Sequence, residues 1–325
     1  MRRSVLDPLI RSRAARTPGV DLLLGHRVTA LVREAERTAG VRASTGAGER
    51  EIGARLVVGA DGKDSAVAKL CGVPSRLHEN GRFGYLAHFR GLPLHGGIGH
   101  TWFLEPDMAY AFPNDDGVTV LAVLPDKKRL PAFREDLEGS FFSFVRALPQ
   151  APPIDDAERI SKIVGTVDYP LVSRRPTAPG VAWIGDAALT GDPLWGVGCG
   201  WALQSAQWLT EAVAPAATRR GDLDRSLAVY ARRHRRRLRG HQSLAIDYAR
   251  MSHLLSVVCS HGRQTRLCTA RRRARADRRP RRGPGTPAAD ATRRLLRPHG
   301  VGSGRGGPAA SAMDPTVIVP GVVAC

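Results

Sequence analysis

The stretch VAWIGDAALTGDPLWGVGCGWALQSAQWL, residues 181–209, decides how the rest of the chain is read. Val181 to Ile184 is a short apolar run of the kind that forms a buried strand, Gly185-Asp186 breaks it, and Asp192-Pro193 and Gly196-Val197-Gly198 punctuate a loop. Leu203, Ala206, Leu209 and Val213 then recur at spacings of three and four, which predicts a helix with one apolar face. The loop therefore delivers a helix N-terminus. Gly196, Gly198 and Gly200 let backbone come close to a ligand, and the first free N–H groups of the helix, with its dipole, favour a group that is or becomes negative. Asp186, just past the strand, is an acceptor-only carboxylate placed to hold a sugar hydroxyl. A glycine-rich strand-to-helix turn that binds nothing has the same local pattern, so the reading needs a second motif.

Residues 56–70, LVVGADGKDSAVAKL, supply it. Leu56-Val57-Val58 predicts a buried strand, Gly59 to Gly62 a tight turn, and Asp64 or Ser65 the cap of a short helix carrying Val67 and Leu70. In this order and at this separation, the two stretches resemble the flavin-dependent aromatic hydroxylases, the single-component FAD monooxygenases of the p-hydroxybenzoate hydroxylase type. The resemblance implies that Asp61 and Gly62 contact the dinucleotide and assist the nicotinamide cofactor. It likewise implies that Gly185, Asp186, Pro193, Gly196, Val197 and Gly198 hold the FAD ribitol and flavin ring. An early segment matching the family pattern, Arg3, Leu6, Asp7, Gly19, Val20, Gly25 and Val28, implies that Arg3 reaches the FAD and that the Val28 backbone meets the adenine.

The fold class so implied is α/β: a Rossmann-like FAD-binding domain interleaved with a β-rich substrate domain, followed by C-terminal helices and a disordered basic tail. The expected boundaries are 1–82 and 164–215 for the FAD-binding parts, 83–163 for the substrate domain, 216–260 for the helices and 261–325 for the tail. The family opens with a strand, G-x-G-x-x-G and a helix that seats the pyrophosphate. This chain has no such segment, so it reads as lacking the first βαβ segment and as truncated at the N-terminus. Two smaller departures concern Ala68, where the family often has arginine, and Leu189, where it often has histidine.

Between the motifs, Phe83 to Phe89, Thr101 to Leu104, Ala109 to Phe112 and Val118 to Leu124 predict strands, with Asn114-Asp115-Asp116-Gly117 as a hairpin turn. His88, Phe89, Trp102, Phe103, Tyr110 and Phe112 are candidates to line an aromatic pocket, or simply to fill the sheet's core. No spaced pair of acid/base groups stands out, so the catalytic residues stay unassigned. Helices are predicted over residues 3–17, 130–148 and 223–239, the last with Leu227, Tyr230, His234 and Leu238 on one face, and a strand over residues 163–172.

The net charge of +19 is unevenly placed: residues 1–218 hold 25 Lys and Arg against 24 Asp and Glu, and residues 219–325 hold 24 against 6. The basic tail lacks the aromatic interleaving or fold motif of a nucleic-acid reader, so no specific nucleic acid is expected. It fits a disordered segment, a non-specific basic arm, or a reading-frame change near residue 260. No run of 18 apolar residues predicts a membrane span, and no secretory leader is evident. Cys71, Cys199, Cys259, Cys268 and Cys325 are scattered and fit a cytoplasmic protein, and no Cys/His spacing suits a metal.

The activity implied by the resemblance is hydroxylation of an aromatic or polyketide-like small molecule with O2. FAD, reduced by NADH or NADPH, acts through a flavin hydroperoxide, and the protein orients it and excludes water. A flavin-dependent halogenase, an FAD-dependent reductase of the same fold and an inactive truncated fragment are the alternatives. Oligomeric state is not legible here.

Overall fold

The computed structural model describes residues 2–193, 196–218, 221–250, 316–319 and 322–324. The chain opens with helix α1 (Arg3–Ala15), strand β1 (Asp21–Leu23) and an antiparallel meander of β2 (Arg27–Glu34), β3 (Arg37–Thr45) and β4 (Gly48–Gly53). β5 (Leu56–Gly59) and the short helix α2 (Ala66–Leu70) carry the first motif, and β6 (Arg76–His78) leads away from it. Next come β7 (Gly84–Arg90), β8 (His100–Leu104), β9 (Asp107–Pro113) and β10 (Val118–Leu124), then helices α3 (Leu130–Glu135) and α4 (Leu137–Arg146). β11 (Glu158–Arg159), β12 (Val164–Thr166), β13 (Leu171–Ser173) and β14 (Thr177–Ala178) return the chain to β15 (Val181–Trp183), which begins the second motif. Helices α5 (Gly198–Thr218) and α6 (Leu223–Ala249) follow, and β16 (Thr316–Val319) and β17 (Val322–Ala324) form a late hairpin.

The first six-stranded sheet runs β1-β16-β17-β5-β15-β14, with β17 and β15 both parallel to β5. All four residues of β5 and all three of β15 are buried, as continuous apolar strands covered on both faces must be. Trp183, fully buried, fixes the approach of β15: a Cβ added at Gly59 would stand 2.5 Å from its indole ring. The Tyr230 hydroxyl of α6 donates to the Trp183 carbonyl at 2.7 Å, which ties that helix to the sheet.

The second sheet runs β11-β7-β10-β9-β8, and β12 also pairs with β7. Strand alternation sorts its side chains. Tyr85, Ala87 and Phe89 pack with Phe133, Phe141 and Val145 of α3 and α4 in an apolar core. Leu86 and His88 lie on the opposite face, in register with Ala122 and Val120. The aromatic candidates therefore divide. Phe89 and Trp102 belong to the core side, whereas Tyr110 and Phe112, stacked with ring centroids 5.0 Å apart and paired with Ala122 and Val120, share the face of His88.

Four expectations change. The helix over 130–148 breaks at Asp136, which is extended (φ −140°) and whose carboxylate caps α4 by accepting from the Gly139 N–H at 2.8 Å. The strand over 163–172 is two strands in two sheets, since Pro170 has no N–H to donate; the chain leaves the second sheet after Thr166, a few residues beyond the expected 163. On α5 the buried residues are Trp201, Ser205, Trp208, Leu209, Val213 and Ala216, and Leu203 is 59% exposed, because the helix packs through its tryptophans. Finally, the 261–325 stretch expected to be disordered contains β16 and β17, whose backbones hydrogen-bond into the first sheet between β1 and β5. The rest of that stretch, 261–315, 320–321 and 325, lies outside the described residues.

Candidate functional site

Both motifs end their strands at the same edge of the first sheet. β5 runs into Ala60-Asp61-Gly62, and Gly62 takes the left-handed conformation (φ +75°) that turns the chain toward α2. Two side chains cap that helix: the Ser65 Oγ accepts from the Ala68 N–H at 3.0 Å, and the Asp61 Oδ2 accepts from the Val67 N–H at 2.9 Å. The second oxygen of Asp61 is buried and meets no donor among the described residues. β15 runs into Gly185-Asp186, with Gly185 also left-handed (φ +54°) and its N–H given to the Ser205 Oγ of α5 at 2.9 Å. A Cβ at Gly185 would sit 3.1 Å from the Ala202 Cβ, so small residues on both sides allow α5 to cross close over the strand end.

The result is a cavity of about 730 Å³. Arg3, Asp61, Gly62, Gly185, Asp186 and Gly198 all line it, although they come from four separate parts of the chain. No atom lies within 4 Å of where a Cβ would stand on Gly62 or Gly198, so backbone is bare on two walls. Leu6 and Ile10 of α1 and Leu203 of α5 complete it, which explains why α1 has no buried residue and why Leu203 is exposed. The apolar faces of both helices were legible in the sequence; that they border a cavity was not.

Charge is arranged across the opening. Burial raises the pKa of Asp186, and the positive charge of Arg3 opposes that shift. Arg3 itself donates from Nε to Asp7 at 2.6 Å, one helical turn on, and its pKa is raised chiefly by that bond. The neighbouring Arg2 is clamped by the hairpin turn of the second sheet: its backbone N–H donates to Asp115 Oδ1 at 2.7 Å and its side chain to Asp115 Oδ2. The bond to Arg2 holds the Asp115 carboxyl down to about 2.

Arg3 also lines a second cavity of about 520 Å³, bounded by Arg2, Leu86, His88, Asn114 and Val120. This one lies against the open face of the second sheet. Burial, and after it the charge of Arg2, lowers the pKa of His88 and favours a neutral imidazole.

Four of the predicted residues stand elsewhere. Val28 packs beside the core formed by Val41, Val57 and Trp183, and Val197 beside the core of α5 and α6. Pro193 and Gly196 belong to the loop before α5 and do not line the cavity. That loop is anchored by a contact with no signal in the sequence. Asp192 Oδ2 accepts from Asn80 at 2.8 Å and from Arg82 at 3.0 Å, an ion pair with side chains only 0% and 2% exposed. Arg82 also donates to the Tyr248 carbonyl of α6 at 3.2 Å. It thus joins the crossing between the sheets, the second-motif loop and α6.

Two strand ends opening on one glycine-walled cavity, beside a separate antiparallel sheet, define an FAD-binding α/β fold. Residues 2–128 match the family described as FAD binding domain. The resemblance to FAD-dependent monooxygenases drawn from the two motifs is borne out. Among solved structures, the flavin-dependent brominase Bmp2 is similar at 18% identity (TM-score 0.62, 71% of this chain and 59% of that one). So is pqsL, a probable FAD-dependent monooxygenase from Pseudomonas aeruginosa, at 22% identity (TM-score 0.61, 75% and 67%). The myxobacterial chondrochloren halogenase CndH is similar at 19% identity (TM-score 0.59, 76% and 62%). The chain spans about three fifths of the length of the brominase and of the CndH halogenase. No curated protein matches the sequence. Among the described residues, no helix is long and apolar enough to cross a membrane.

Proposed function

We propose that this chain is an FAD-dependent monooxygenase that uses NADH or NADPH and O2 to hydroxylate an aromatic or polyketide-like small molecule. The observation that carries this reading is the pair of cavities that meet at Arg3, one walled by the two glycine-acid turns and the other by a sheet face bearing His88. The first fits a flavin on its own chemistry, having two bare backbone walls, an orphaned carboxylate oxygen on Asp61 and the first turn of α5 with its free N–H groups. Bound FAD would supply the two-electron reduction and the activation of oxygen.

In this reading the chain's own residues bind and orient. Asp186 accepts from ribityl hydroxyls and the charge of Arg3 opposes the upward push of burial on its carboxyl, while Gly185 and Gly198 permit close backbone approach. The aromatic substrate lies in the second cavity, where neutral His88 accepts a hydrogen bond from a phenolic hydroxyl and Leu86 and Val120 exclude water. The protein works in the cytoplasm, and neither membrane nor specific nucleic acid enters its action.

The test is a visible absorption titration of the purified chain with FAD, followed by O2 uptake and product mass with phenolic and polyketide panels. Retained flavin bands and NAD(P)H-dependent gain of one oxygen atom support the reading. A colourless chain that cannot be loaded removes it, and a halide-dependent halogenated product replaces it with halogenation.

A further inference from the structure

A third cavity, of about 1100 Å³, shares no lining residue with the two above. One wall is the β6–β13 edge with the segment after it, bringing Arg76, Arg174 and Arg175; the other is α6, bringing Arg232, Arg235 and Arg239. No acidic residue lines it, and none of the six arginines forms an ion pair among the described residues. Other arginines of the chain do find carboxylates, Arg146 with Asp155, Arg159 with Glu138 and Arg233 with Glu211 among them. Arg174 gives its guanidinium to the Ser75 hydroxyl and to the Ala187 and Lys63 carbonyls, which leaves five guanidiniums without a hydrogen-bonded partner among the described residues. Like charges lining one groove repel, and nothing in the helix requires it, since Arg236 and Arg237 on the same element do not line this cavity.

A second observation concerns the floor. His234 is only 4% exposed, lines the groove and makes no hydrogen bond from either ring nitrogen among the described residues. Burial pushes it down to about 4, so it is a neutral donor and acceptor and adds no charge. Leu189 and Leu238 beside it are apolar and buried. The site thus offers many planar cationic forks at its rim and a mixed polar and apolar floor. Guanidiniums match phosphate oxygens two at a time, and the volume is that of a small-molecule site rather than of a duplex.

We propose that this groove is a second ligand site, for a small molecule carrying two or more phosphate groups. The inference does not rest on the proposed oxygenase reaction, because the walls are different residues. The experiment is isothermal titration calorimetry of the full chain with inorganic pyrophosphate and with ADP near physiological salt. Saturable one-to-one binding is expected. Arg235→Glu with Arg239→Glu should weaken it by about tenfold or more, the loss of one charge-assisted contact. Arg236→Glu with Arg237→Glu, the same charge change outside the groove, should leave it within about twofold, since distant exposed charges are screened. All four positions are exposed, and thermal melts of both variants should match the parent. Absence of saturable binding, or equal losses from the two pairs, would overturn the site in favour of diffuse attraction. Displacement of pyrophosphate by duplex DNA that is equally sensitive to both pairs would instead assign the surface to nucleic acid and overturn it too.

Discussion

Asp186 lines the glycine-walled cavity within the field of Arg3, and its carboxylate is the group most open to a test. Asp186→Ala should weaken FAD binding by about tenfold or more, since a hydrogen bond to a charged group contributes ~1.5–3 kcal/mol. Flavin fluorescence quenching reads this, and parental affinity would end the role given to Asp186. Arg82 carries a different kind of consequence. Arg82→Met removes one partner of a buried ion pair and should lower unfolding stability by about 3–5 kcal/mol in denaturant titrations, with Arg82→Met plus Asp192→Leu recovering part of it. His234 gives a pH signature. The folded protein keeps it neutral down to about 4, whereas an unfolded chain takes up the proton near 6.5. Stability should therefore be flat above 6.5 and fall by about 3 kcal/mol between 6.5 and 4 from this group alone. His234→Leu should remove that slope in pH-dependent urea melts. Asp61, Gly62, Gly185 and Asp186 were legible because glycine turns have local causes; Arg82 was not, because its partner lies 110 residues away.

At the scale of elements, β5 and β15 are held together by a match of opposites, a glycine against a tryptophan. Gly59→Ala puts a methyl carbon where the Trp183 indole already stands, and the strands must part or the ring must turn. A loss of about 1–3 kcal/mol is expected from such overpacking, read as a lowered melting temperature. Helix α1 is held differently, by the hairpin turn that clamps Arg2. Asp115→Asn should loosen that end and raise the dissociation constant for FAD through Arg3. In the parent the same clamp should persist above the ordinary carboxylate pKa of 3.8 and fail as pH falls toward 2. The strands 84–90, 100–104 and 118–124 were readable from alternation and the Asn114–Gly117 turn from its composition. The break at Asp136 was readable only in part: an aspartate three residues before a glycine is a cap signal, but the apolar spacing on either side continues as if the helix were unbroken. The buried face of α5 was misjudged because Trp201 and Trp208 outcompete Leu203 for the sheet once the helix is docked.

The described residues are organised around a sheet whose neighbours in space are distant in sequence. β1 and β5 are not paired with each other; the hairpin of β16 and β17 lies between them in the sheet. A chain lacking residues 313–325 should leave one edge of β5 open, lower the melting temperature and elute as larger species in size-exclusion chromatography, as exposed parallel edges recruit other strands. Recovery on adding a peptide of those residues would confirm the hairpin as the missing part. Nothing in the sequence marked it, because a short valine-rich run after a long Arg, Gly and Pro-rich stretch has no periodicity longer than a few residues. The same placement bears on how the protein comes into being. Leu56 pairs with Val322, roughly 260 residues later. At ~5–20 residues per second, the ribosome makes the strand that completes the sheet tens of seconds after the strand that awaits it. Through that interval β5 awaits its partner on a nascent chain, so lower growth temperature and added chaperones are expected to raise the soluble yield more than the final stability alone would suggest.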